Sequence, residues 1–113
     1  MSIEGVWTDE VYGPFGWENQ GVLLLENGRI LGGDNRQYAI GTYSLSGDEL
    51  RAELKVHYYG PPRTVFGEVE EKFTTVIVGV MKNGEIHGTV SRPDRPQFDL
   101  QIRLTKRMAL PST

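Results

Sequence analysis

Any chemistry this chain performs must come from a short set of residues. Gly32, Gly33 and Asp34 lie in the stretch NGRILGGDNRQYAIGTYSL (27–45), a glycine pair beside a carboxylate. A phosphate-binding glycine loop works by opening a helix whose N-terminal amides face the anion. The segment that begins at Asp34, DNRQYAIGTYSL, reads instead as a turn and then a strand, with no Walker pattern and no GxGxxG run. Gly32 and Gly33 are therefore expected to mark a bulge or bend in a sheet, with Asp34 hydrogen-bonding its own turn.

The other reactive types are as sparse. His57 shares the polar face of its segment with Glu53 and Lys55, and His87 stands two residues past Glu85. Neither belongs to a spacing that assembles the three or four ligands a metal needs. Ser44, Ser46 and Ser91 sit in no nucleophile-elbow context. The run Glu68, Glu70, Glu71 falls at an expected loop-to-strand entry. There it reads as solvated charge or as an acidic docking patch for a basic partner, rather than as a buried general acid. No catalytic residue, metal or cofactor is expected. The stretch VYGPFGWENQG (11–21) reads as a loop that carries Tyr12, Phe15 and Trp17. Phe15 and Trp17 are either binding anchors or a plug over one end of the fold. YYGPPRTVF (58–66) is expected to form a neighbouring rim.

The totals set the frame for these residues. With 113 residues there is room for one domain, expected over 1–107 with a tail at 108–113. Such a chain can bury a packed core without metal or disulfide, and it contains no cysteine. Net charge is −3 and the pI is near 5.3. The nearest thing to a basic footprint is RLTKR (103–107), so direct nucleic-acid binding is not expected. The start MSIEGVWTDEVYG lacks a basic segment leading into an apolar run, and TVIVGV (75–80) is too short to cross a bilayer. A cytoplasmic protein without membrane contact is the expectation.

The elements that must position these residues are strands. LRAELKVHYY (50–59) alternates Leu50, Ala52, Leu54, Val56 and Tyr58 against Arg51, Glu53, Lys55 and His57. FDLQIRLT (98–105) does the same, with Phe98, Leu100, Ile102 and Leu104 facing in. TTVIVGVM (74–81) is apolar on both faces, which predicts cover on its outer side as well. Asn27-Gly28 and Asn83-Gly84 signal type I′ hairpins. Eight strands are predicted, near 3–10, 20–26, 29–33, 38–45, 49–59, 71–82, 85–91 and 97–106. Joined in sequence, they predict an all-β fold, an eight-stranded antiparallel up-and-down barrel that closes to remove its edges, with a flattened sandwich as the alternative. Eight strands enclose either a filled interior or one small ligand. Leu23, Leu25, Leu54, Val56, Tyr58, Val78, Leu100 and Ile102 are the expected cavity residues.

Two resemblances extend this reading. Gly5-Val6-Trp7 looks like the G-x-W that opens lipocalin barrels. That likeness implies a basic residue from the last strand packed across the Trp, for which Arg103, Lys106 and Arg107 are the candidates. From Gly21 to about Gly67 the chain is similar to the GrlR family, negative regulators of type III secretion genes with a lipocalin-like barrel. The similarity rests on GVLLLENGRILGGD, Tyr38, Gly41 and Val56–Tyr59, with Asn27, Gly28, Gly32, Gly33 and Asp34 as its most specific piece. It implies a non-enzymatic barrel that sequesters a transcriptional activator by protein–protein contact. An acidic run after the fourth strand contributes to that contact in the family. Here the equivalent positions are Ser46, Gly47, Asp48 and Glu49, of which only Asp48 and Glu49 carry charge. Barrels of this kind also pair, and TVIVGVM offers an apolar outer strip for a homodimer. The alternative reading is a carrier that holds a small hydrophobic ligand or lipid inside the barrel.

Overall fold

Antiparallel pairing runs unbroken around the molecule. In a computed structural model that describes residues 2–60 and 72–111, eight strands succeed one another. They are β1 (Gly5–Gly13), β2 (Gly16–Glu26), β3 (Arg29–Gly33), β4 (Gln37–Ser46), β5 (Glu49–Tyr58), β6 (Lys72–Lys82), β7 (Glu85–Arg92) and β8 (Arg95–Met108). Each pairs with its sequence neighbours and β8 returns to β1, closing an up-and-down barrel. Among the described residues there is no helix. Closure satisfies the backbone groups that an open edge would leave unpaired.

Local sequence explains the hairpins. Asn27 and Gly28 have φ of 51° and 75°, and Asn83 and Gly84 have 54° and 77°, the paired positive φ values of a type I′ turn. Connections alternate between the two ends of the barrel. Those of β2–β3, β4–β5 and β6–β7 lie at one end, the lower, and those of β1–β2, β3–β4 and β7–β8 at the upper.

The first hairpin departs from expectation. The segment 11–21 is ladder rather than loop, paired from Asp9↔Gly21 to Gly13↔Gly16 around Pro14 and Phe15. Its glycines and proline point to a loop, but Pro14 is confined to the tip, Gly13 and Gly16 pair beside it, and Gly21 sits at a bulge. That bulge lies between Asp9 and Glu10 in the register: Gly21 opposes Asp9, Asn19 opposes Glu10, and Gln20 is the extra residue.

Position along the strands divides the interior into two halves. Trp7, Leu25, Ile30, Leu50, Ile86 and Leu104 are all fully buried and lie close to the lower turns. Ile3 covers that end, its carbonyl accepting from Trp7 Nε1 at 2.9 Å. The lower half is therefore packed solid, and the upper half is where space remains.

Gly32 and Gly41 let the sheet coil tightly. A Cβ on Gly32 would stand 1.9 Å from the Val22 carbonyl oxygen, and one on Gly41 1.7 Å from that of Glu53. Both positions need glycine for close strand approach rather than for ligand contact.

Candidate functional site

The upper half of the barrel encloses a cavity of about 90 Å³. That exceeds the roughly 10–15 Å³ one water needs and falls below the roughly 150 Å³ that accepts benzene. Among the described residues the cavity is partly open to the outside. Leu23, Leu54, Val56, Tyr58 and Ile102 line it, as the strand patterns predict, joined by Val11, Phe73, Ile77 and Val90.

Three expected cavity residues stand elsewhere. Leu25 is fully buried in the packed lower half, and Leu100 packs half-buried against the core; neither lines the cavity. Val78 faces outward and is exposed, contrary to expectation. β6 is apolar on both faces, so alternation alone could not set its parity. The ladder does, opposing Ala52 with Ile77 and Leu54 with Thr75, which leaves Val78 across from Arg51 on the outside.

Polar groups enter the same cavity. Asp9, Gln20, Gln37 and Thr75 line it. Asp9 follows the Trp7, Asp9, Val11 alternation of β1 inward, a signal present in WTDEV that an emphasis on apolar positions passes over. Gln20 points inward because of the bulge, which strand periodicity cannot show. The Asp9 carboxyl is raised from 3.8 to about 6, first by burial, with the nearby Asp34 and Glu10 charges adding to the shift. Asp9 remains half-buried in the wall of that cavity. Gln20 is only 7% exposed, and its Nε2 has no hydrogen-bond partner. A buried amide donor left unsatisfied costs on the order of 1–3 kcal/mol, so a ligand that accepts from it has an energetic reason to bind.

Asp34 caps the β3–β4 turn. Its Oδ1 accepts from the Arg36 and Gln37 amides at 2.7 and 3.0 Å, and its carbonyl accepts from the Tyr59 hydroxyl. Its Oδ2 is buried without a partner. The Gly32-Gly33-Asp34 motif is thus a coil point followed by an Asx turn. Outside it, Tyr38 stacks on His57 with centroids 5.1 Å apart and planes at 4°.

The aromatic anchors are treated unequally by the fold. Phe15 tips the first hairpin at 90% exposure. Trp17 is held in the outer wall, with the Tyr12 ring edge-on at 5.4 Å and the Arg103 guanidinium 4.2 Å above its centroid. Arg103 also forks onto Glu10 at 3.0 and 3.1 Å, which lowers the Glu10 pKa. Arg103 therefore stacks on Trp17 rather than on Trp7. The residue opposite Trp7 is Lys106, whose Nζ donates to the Ser2 carbonyl at 2.7 Å. Of the three basic candidates, Lys106 is the one opposite Trp7 in register.

The acidic candidates divide too. Asp48 and Glu49 are exposed at the lower β4–β5 turn, opposite the Phe15 end. Glu68, Glu70 and Glu71, with most of the 58–66 rim, lie outside the described residues. No cluster of three or more His, Cys, Asp or Glu side chains able to hold a metal occurs among the described residues. His87 contacts Glu85 at 2.7 Å on the surface.

A continuous apolar strip crosses the outside of β2, β3 and β4. Leu24, Leu31 and Ile40 are direct ladder neighbours, and Val22, Gly33 and Tyr38 form the next row. Val22, Leu31, Tyr38 and Ile40 are all exposed. The outer residues of β6 differ, because Val78 and Val80 are flanked by Arg51, Glu49, Thr89 and His87 in register. No protein-family model matches this chain, and no curated protein matches it significantly.

Proposed function

We propose that this chain is a non-enzymatic binding barrel that regulates by holding another protein, in the way its resemblance to activator-sequestering regulators implies. The observation that carries this reading is the outer strip of Val22, Leu24, Leu31, Tyr38 and Ile40. A barrel wall facing water is ordinarily polar on its outer positions, and a contiguous apolar area is typical of protein contact. The strip is built largely from GVLLLENGRILGGD and Tyr38, the segment on which the resemblance rests. Such a role calls for a cytoplasmic protein working beside a transcriptional activator, with Asp48 and Glu49 available to steer a basic partner.

Affinity capture from source cells with the wild type and a Leu31→Lys/Ile40→Lys variant tests it. A transcriptional activator should be retained by the wild type and lost by the variant at an unchanged melting temperature. Equal retention would remove the strip from the proposal. Light scattering that shows a wild-type dimer and a variant monomer would instead give the strip to a second copy of the chain.

The cavity favours a second reading, a carrier for a small, largely apolar molecule. Its support is the pairing of an apolar, partly open interior with a polar donor that lacks a partner. Native mass spectrometry would test it: mass that leaves on denaturation supports a carried ligand, and a clean apo mass from source cells counts against one.

A further inference from the structure

We propose that the upper cavity recognises a small, uncharged, hydroxyl-bearing molecule, its apolar body among Leu54, Val56, Ile77 and Val90 and its hydroxyl held by Asp9 and Gln20. The inference rests on the carrier reading of the cavity and specifies the chemistry of its occupant.

The fold builds the polar end of this site across one ladder. Asp9 opposes Gly21 on the adjacent strand, and the bulge sets Gln20 one residue further along. Both side chains line the same cavity. Gln20 is more than nine-tenths buried, and its amide nitrogen donates to nothing. That nitrogen calls for an acceptor, while the Asp9 carboxylate, which also accepts a backbone hydrogen bond, has lone pairs left for a donor. A hydroxyl oxygen supplies both from a single atom, accepting from Gln20 Nε2 and donating to Asp9. A ketone or ether would satisfy Gln20 only. An ammonium would satisfy Asp9 and leave the Gln20 donor unmatched. A carboxylate would place a third acidic group beside Asp9 and Asp34. Besides Gln37, Thr75 and Tyr58, which also carry polar atoms, the remaining lining side chains are apolar. With about 90 Å³ available, the enclosed part of the ligand is smaller than a benzene ring, and a longer body would extend toward the opening.

The test uses the whole chain with methyl-labelled Leu, Val and Ile, observed by NMR. The probes are 1-butanol, butylammonium and xenon. Variants Asp9→Leu and Gln20→Leu each remove one polar partner, and xenon reports whether the cavity survives in them. The proposal expects 1-butanol to shift the methyls of Leu54, Val56, Ile77 and Val90. It expects its affinity to fall roughly tenfold in either variant, the scale of one lost hydrogen bond, while xenon enters all three proteins. Equal butanol affinity in wild type and variants would overturn it, as would tighter binding of butylammonium than of butanol. Xenon entry without butanol entry would end the hydroxyl assignment and leave the carrier reading standing. Failure of xenon to enter the wild type would bring down both.

Discussion

Asp9 is where burial and chemistry meet most directly. A carboxyl raised from 3.8 to about 6 binds its proton more tightly in the native than in the unfolded state. Below about pH 4 both states are protonated and Asp9 is neutral in its effect. As pH rises from about 4 to 6 the unfolded chain ionises first, so native stability falls, and above about 6 the full cost is present. Asp9→Asn should therefore match the wild type near pH 4. It should exceed it near pH 8 by about 1–3 kcal/mol, read from urea midpoints across that range. Asp34 and Glu10 push in the same direction, so Asp34→Asn should reduce the pH dependence without abolishing it. At Arg103 the consequence is spectroscopic. Trp7 is fully buried, whereas Trp17 is shielded on one face by the guanidinium. Arg103→Ala should shift the Trp17 part of the emission to the red and leave Trp7 unchanged, which comparison with a Trp17→Phe protein would confirm.

At the scale of elements, the barrel depends on strand crossings that admit no side chain. Gly32→Ala would drive a Cβ into the Val22 carbonyl, a backbone clash that should cost about 3 kcal/mol or more, the upper range for overpacking. Gly47, at φ 61° in the β4–β5 turn, meets nothing within 4 Å. Its replacement by Ala should cost only about 1–2 kcal/mol, from left-handed backbone alone. Thermal midpoints of the two variants separate a packing requirement from a conformational one. Parity on β6 gives a second comparison. Ile77 is buried and Val78 exposed. Ile77→Ala should lose about 2–5 kcal/mol, and Val78→Ala should stay within about 0.5 kcal/mol of the wild type.

The molecule as a whole measures 39 × 26 × 24 Å, with Phe15 at one end and Asp48 and Glu49 at the other. A standard interface covers about 800 Å² on each partner, which does not readily reach both ends. Phe15→Ala and Asp48→Ala/Glu49→Ala should therefore not both weaken capture of one partner, and biolayer interferometry on the captured protein would show which end is used. If the acidic end is used, the association rate should also fall with added salt. Much of this architecture was legible in the chain. Alternation in 50–58 and 99–105 fixes which side chains face in along β5 and β8, and Asn-Gly at 27–28 and 83–84 can hardly be anything but tight hairpins. The G-G-D reads as sheet geometry because no helix comes after it. These are local properties, set by neighbours one to four residues apart. The tertiary structure decided everything that depends on register between strands. Only the ladder assigns parity to an apolar run such as TVIVGV, and only a bulge turns Gln20 into the barrel beside Asp9. Arg103 reaches Trp17 instead of Trp7 because closure of β8 on β1 chooses the row in which they meet. Register is a relation between distant segments, and no single strand carries it.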